Sequence, residues 1–272
     1  MKRICLVLTL LCLLGLSLCA RADELRVDFY DMGKADAMLI TTPGGKRVLI
    51  DTGTNKGGKN LVSLFEEAGV DHIDMLLITH YDKDHVGGAD SILEALPVDT
   101  VVMPVYDKES KQYEQFIQAL EEAPGVSVHP MQTGETAAFE SGDGVYMTVT
   151  AAHRTSYGPD EENDFSLAVR LSYGETRFLF AGDAEAPRQL ELLKEGDVAC
   201  DVLKVPYHGR MTAASETFLQ AAAPQIAFIT DSDKEPASDE IVRLLQALGT
   251  DVRCAKDGGI SVLSDGHTVR VL

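Results

Sequence analysis

The chain has 272 residues, 45% apolar and 25% charged, which is ordinary globular composition with room for a large core and argues against a membrane channel or a fibre. Its 24 Lys plus Arg face 43 Asp plus Glu, a formal charge of −19 that argues against a surface gripping nucleic acid by phosphate neutralisation. Without Trp, and with 6% aromatics, it has little material for broad base-stacking or sugar-binding faces.

In chain order, Met1-Lys2-Arg3, an apolar run from Ile4 to Leu18 and Ala20-Arg21-Ala22 read as a secretory leader cleaved after Ala22. The expected organisation is a leader over 1–22 and one domain over 23–272, in a secreted or extracytoplasmic location. The run falls short of the roughly 20 residues of a spanning helix. Bulky Leu18 before Cys19 argues against lipid attachment. Losing Lys2, Arg3 and Arg21 takes the formal charge from −19 to −22. Cys200 and Cys254 remain, either as a disulfide or as two free thiols.

Strands are predicted at Leu25 to Tyr30, Ala37 to Thr41 and Arg47 to Ile50, with Pro43-Gly44-Gly45 as a hairpin turn. Leu61, Leu64, Phe65 and Ala68 recur at helical spacing, and Met75 to Thr79 reads as a strand buried on both faces. Helices then alternate with strands: Ala89 to Leu96, Val101 to Val105, Glu109 to Glu122, Val126 to His129. A strand at Tyr146 to Ala151 and a hairpin of Ser166 to Tyr173 with Arg177 to Ala181 follow. The tail alternates helix Ala186 to Leu193, strand Val202 to Val205, helix Ser215 to Ala222, strand Ile226 to Thr230 and helix Asp239 to Leu248, then closes in strands. The two halves look related, and the order implies α/β layers with helices on the outer faces of sheets. The loop from Tyr157 to Asn163 is the expected mobile segment.

The densest chemistry lies in Thr79-His80-Tyr81-Asp82-Lys83-Asp84-His85. In a turn leaving a strand, His80, Asp82 and Asp84 share a side while His85 swings in at the helix start. Two close carboxylates repel unless a divalent cation compensates them; helix capping by Asp84 would account for only one residue of the group. Farther on, Asp183 ends Phe178-Leu179-Phe180-Ala181-Gly182, and His208 ends Leu203-Lys204-Val205-Pro206-Tyr207. Strand ends on one sheet edge can aim distant residues at one ion.

These motifs resemble the metallo-β-lactamase superfamily. Leu49-Ile50-Asp51-Thr52-Gly53 is similar to its first motif, His80 to His85 to its second, and Asp183 and His208 to its fourth and fifth. Within it, the chain most resembles the hydrolase domain of ComEC-type DNA-uptake competence proteins. Asp31-Met32-Gly33-Lys34-Ala35-Asp36-Ala37 is similar to that group's Asp-Val-Gly-Gln-Gly-Asp-Ala, Asn163-Asp164-Phe165-Ser166-Leu167 to its Asn-Asn-x-Ser-Leu, and Leu203 to Gly209 to its Leu-Lys-Val-x-His-His-Gly. The resemblance implies a four-layer αβ/βα sandwich with one or two divalent ions, Mn or Zn.

By that likeness Asp84, His85, Asp183 and His208 form one metal site, and His80, Asp82 and Asp183 a second that lacks its third-motif histidine. His153 is a weaker substitute. Asp84 also orients the nucleophilic water, Asp51 supports the metal loops, and Asn163, Ser166, Lys204 and Tyr207 face the substrate. Lys204 reads equally as a snorkelling surface lysine, and Lys34 and Asp36 as cleft or turn residues. The expected activity is a metal-dependent phosphodiesterase or nuclease on a small phosphodiester or nucleic acid. The rivals are hydrolysis of another ester, lactone or β-lactam, and a binding module without catalysis. With no spanning segment after the leader, the chain is not expected to be an uptake channel itself.

Overall fold

A computed structural model describes residues 24–158 and 162–272. The expected leader, its cleavage point and Cys19 lie outside the described residues, as do positions 159–161 of the loop between Tyr157 and Asn163. The first sheet has the order β15-β14-β1-β2-β3-β4-β5-β6. Its strands are β1 (Leu25–Phe29), β2 (Met38–Thr41), β3 (Arg47–Ile50), β4 (Ile73–Leu77), β5 (Val98–Pro104), β6 (Ser127–Met131), β14 (Ile260–Ser264) and β15 (Val269–Val271). The second has the order β13-β12-β11-β10-β9-β8-β7. It comprises β7 (Thr136–Glu140), β8 (Val145–Thr150), β9 (Ala168–Tyr173), β10 (Thr176–Phe180), β11 (Val202–Lys204), β12 (Ile226–Ile229) and β13 (Asp251–Cys254).

Three apolar clusters define four layers. The central one joins the facing sides of the sheets through residues such as Val27, Phe29, Ile50 and Leu77 from one and Val149, Phe178, Phe180 and Phe228 from the other. On the outer face of the first sheet, Leu49, Leu76 and Val101 pack with Leu61, Phe65, Ile92 and Phe116. Those last four lie on α1 (Asn55–Ala68), α2 (Ala89–Ala95) and α3 (Lys111–Glu122). On the other side, Leu179, Leu203 and Ala227 pack with Leu192, Phe218, Ile241 and Leu245 of α4 (Ala186–Glu195), α5 (Ser215–Ala222) and α6 (Asp239–Ala247). Burial on both faces is why the central parallel strands read as unbroken apolar runs. The arrangement is the expected α/β sandwich. No helix among the described residues is long and apolar enough to cross a membrane.

Local differences have simple causes. Helix α1 starts at Thr54, whose hydroxyl accepts from the Gly57 amide, and buries Gly57, Gly58, Leu61 and Phe65. Leu64 lies off that face and is 42% exposed, unlike its expected place in the stripe. The glycines are needed: a Cβ on Gly58 would stand 2.3 Å from the Gly88 Cα, so α1 and the loop entering α2 touch backbone to backbone. Cys200 and Cys254 are both free thiols.

Candidate metal centre

The site forms where β3, β4, β10, β11 and β12 end. Beyond β3, Asp51 adopts a left-handed backbone (φ 56°) and turns its carboxylate inward. Its Oδ1 accepts from the Thr79 amide (2.8 Å) and its Oδ2 from the Thr79 hydroxyl (2.7 Å) and His85 Nδ1 (2.8 Å). Asp51 therefore ties the β4 loop down and fixes the His85 ring. Beyond β11, Tyr207 and His208 are both left-handed (φ 54° and 50°), backbone strain that swings His208 inward. The Thr230 carbonyl (3.0 Å) and hydroxyl (2.9 Å) hold His208 Nδ1.

Beyond β10, Gly182 is left-handed, and a Cβ there would meet Ser166 Oγ at 2.7 Å. Ser166 Oγ accepts from the Asp183 amide (3.0 Å) and lies 3.4 Å from His80 Nδ1. Asp183 then faces both fixed imidazoles, with Oδ1 3.4 Å from His85 Nε2 and Oδ2 2.8 Å from His208 Nε2. Asp84 Oδ2 stands 3.5 Å from His208 Nε2 and accepts from Lys34 Nζ at 2.8 Å.

The donor set suits a divalent ion. His80, His85 and His208 are buried with each Nδ1 near a support group, while their Nε2 atoms have no hydrogen-bond partner among the described residues. Three buried imidazole nitrogens beside a carboxylate, each ring steadied from behind, are what a metal ligand set requires. His85, Asp183 and His208, with Asp36, each offer an atom within 4.8 Å of the others.

The electrostatics follow from this crowding. Burial, reinforced by His85, pushes His80 down to about 4. For His85 burial acts in the same direction, but Asp183, Asp36 and Asp51 outweigh it and raise its pKa well above the ordinary value. Burial likewise opposes ionisation of Asp183, yet His208, His85 and Lys204 hold it well below the carboxylate range.

Of the expected metal ligands, the structure brings His85, Asp183 and His208 together with Asp84 at their edge. His80 points its Nε2 toward Asp82 at 3.9 Å, but Asp82 is half-buried and accepts from Lys108 (3.1 Å), which also pairs with Glu162. Two residues expected to face the substrate lie deeper than that. Ser166 and Lys204 are fully buried rather than exposed on the cleft, and Lys204 does not snorkel. Lys204 donates to the Gly182 carbonyl (2.9 Å) and pairs with Asp183 (3.3 Å) and Asp36.

Asn163 and Tyr207 do line a cleft of 1120 Å³ beside the site, with Tyr81, Asp82, Tyr106, Asp107, Glu162 and Glu185 among its walls. His153 pairs with Glu195 (3.1 Å) and so has a partner of its own outside the cluster. Sequence reading missed Thr230, although a threonine closing the apolar run Ile226–Ile229 was a signal, and Lys108, for which there was none.

Residues 30–229 match the metallo-beta-lactamase superfamily, and the chain belongs to that family. ComE operon protein 3 of Bacillus subtilis (strain 168) is 28% identical over 227 residues, covering 77% of this chain and 28% of the relative. Recombination protein 2 of Haemophilus influenzae is 28% identical over 216 residues, covering 78% of this chain and 25% of the relative. This chain thus spans about a quarter of the length of these relatives. Among solved structures, CmlA, a diiron beta-hydroxylase from Streptomyces venezuelae, superposes with a TM-score of 0.55 at 17% identity over 93% of this chain and 54% of that one. That likeness establishes the fold. The chain therefore has the metallo-β-lactamase fold, is related to Competence protein ComA of Neisseria gonorrhoeae (24% identical over 211 residues, 75% of this chain and 27% of the relative), and holds a buried Asp/His cluster suited to a divalent metal.

Proposed function

We propose that this protein is an exported metal-dependent phosphodiesterase acting on a small phosphodiester or a nucleic-acid end. The observation that carries the reading is the buried set of His85 and His208, whose Nε2 atoms face Asp183, with the orphaned Nε2 of His80 turned toward Asp82 at the border of an open cleft. His85, His208 and Asp183 would hold the ion, with Asp84 at its edge and His80 and Asp82 on the side of the cleft. A bound divalent ion supplies a lowered pKa for its water and polarises the scissile group. Around it, Asp84 would orient the attacking water while Lys34 steadies its carboxylate. Tyr207 and Asn163 border the space in which the substrate lies.

A relative named for recombination and another named for competence support nucleic acid as the substrate family. The cleft argues for a short substrate. Asp82, Asp107, Glu162 and Glu185 line it, and Lys108 at its border is already paired with two of them, so a long polyanion meets repulsion there. The same lining favours a second reading, hydrolysis of an uncharged ester or lactone. Export rests on the leader pattern of residues 1–22.

The test is cleavage of a generic phosphodiester, of single-stranded DNA and of an ester panel by the purified protein with Mn²⁺, Zn²⁺ or chelator. Metal-dependent phosphodiester cleavage, abolished by Asp84→Ala and His208→Ala, is expected. Ester cleavage alone would move the assignment to the second reading, and inactivity without bound metal would defeat both.

A further inference from the structure

The buried cluster contains a feature that a bare metal cage would not need. Lys204 lies inside it without exposed surface, and its ammonium meets three oxygens, those of Asp36 Oδ2, Asp183 Oδ1 and the Gly182 carbonyl. It donates to the Gly182 carbonyl and to Asp183 and forms an ion pair with Asp36. Burying a cation is costly unless it is paired and hydrogen-bonded, and here it is both.

The position of Asp36 is the second observation. Its oxygens stand 3.7 Å from His85 Nδ1 and 3.6 Å from His208 Nδ1. Asp183 stands against the Nε2 atoms of the same two rings. The two ring nitrogens direct their lone pairs away from each other, so a ligand on the Nδ1 side does not share an ion with the Nε2 atoms. Moreover, Asp51 and Thr230 already engage those Nδ1 atoms. Although Asp36 is close enough to count among candidate ligands, it belongs to the layer beneath the ion, and Lys204 is the bridge between the layers.

The charges of the cluster then set a limit. Asp36, Asp51, Asp84 and Asp183 are buried carboxylates, and Lys34 and Lys204 are the ammoniums paired with them. With the imidazoles neutral, as metal ligands are, two negative charges remain among these groups, the complement of one divalent ion. The neighbouring position offers His80 and a half-buried Asp82 already engaged by Lys108.

We infer that Lys204 is a built-in cation standing in for a second metal ion, so that the centre takes one divalent ion at His85, Asp183 and His208 while Asp36 serves as the counter-ion of the lysine. This rests on the reading of the cluster as a metal centre, and the test separates the two. Metal content after dialysis and Mn²⁺ and Zn²⁺ titration by calorimetry would be compared for the wild-type protein, Lys204→Met and the double variant Asp36→Asn/Lys204→Met, with circular dichroism and melting as folding checks.

The wild type should bind one ion per chain. Lys204→Met, which frees Asp36 and Asp183, should bind a second ion or bind the first about tenfold tighter, the size of change that groups supporting a metal site produce. The double variant removes both charges together, so it tolerates the change even where the single variant does not fold, and it should return to one ion within about threefold of wild-type affinity, well inside that range. Two ions of similar affinity in the wild type, or loss of metal in a folded double variant, would overturn the inference and leave the metal-centre reading standing. A wild type without affinity for either ion would remove both.

Discussion

Residues 25–131 and 145–254 follow the same path. Strands β1, β2 and β3 run antiparallel, and β4, β5 and β6 are added in parallel through α1, α2 and α3; strands β8 to β13 and helices α4 to α6 repeat the pattern. In the second half the matching pairs have the same directions. The halves differ in what their strand ends carry. Asp51 follows β3 and Asp183 follows β10, yet Asp51 is closed off by Thr79 and His85 while Asp183 turns toward the Nε2 side of two imidazoles. One scaffold position thus supports a ligand in one half and, in the proposed reading, is a ligand in the other. The chemistry lives in the loops and the sheets only aim them.

The sharpest way to break that comparison is to exchange the same group in both halves. Asp183→Asn should lower Mn²⁺ affinity more than about 100-fold, above the range for outer supporting groups, because both fixed imidazoles lose their shared carboxylate. Asp51→Asn should cost about 10- to 100-fold, through the orientation of His85. Calorimetric titration of both variants decides it, and equal losses would mean that the two positions play the same part. A smaller effect follows from the packing of α1 on the metal loop. Gly88→Ala should destabilise the fold by about 1 to 3 kcal/mol as an overpacked contact, read by urea denaturation, because its Cβ would stand 2.5 Å from the Gly58 Cα. Smaller still, Thr230→Val leaves the backbone carbonyl to hold His208 and should weaken metal binding by about tenfold, at the low end for such support.

How much of this was legible depends on whether neighbours in sequence are neighbours in space. The cluster from His80 to His85 announces itself, because one turn gathers its residues, and the apolar strands ending at Asp51, Asp183 and His208 mark the edge they share. Strand β7 escaped because it is an exposed edge strand whose Thr136, Ala138 and Glu140 carry no apolar alternation beyond Phe139. The fate of Lys204 was hidden for a different reason. A lysine in an apolar strand reads as snorkelling until its partners, Asp36 from the loop before β2 and Asp183 from the loop after β10, are seen around it. Ser166 is similar: its motif suggested a substrate contact, but Gly182 brings the Asp183 amide onto its hydroxyl.

The subtlest difference between the halves is how their first helices begin. Helix α1 is capped locally by Thr54, whereas the residue before α4, Glu185, makes no side-chain cap. Asp164 supplies it instead from the cleft-side loop, accepting from the amides of Glu185 (3.0 Å) and Arg188 (3.1 Å). Burial outweighs these bonds and pushes Asp164 up to about 6, above the roughly 3.9 of an unfolded aspartate. An acid raised on folding binds more protons folded than unfolded between those values, so its contribution to stability is fully present below about pH 4 and declines as pH rises to about 6. Asparagine keeps the accepting oxygen and cannot ionise. The melting temperature of Asp164→Asn relative to wild type should therefore rise between pH 4 and pH 7, by on the order of 2 to 4 °C for each kcal/mol of burial cost relieved. A difference that stays flat with pH, or shrinks, would mean that the dipole of α4 already holds the carboxylate ionised, and that the borrowed cap works by charge where the local cap at Thr54 works by hydrogen bonding alone.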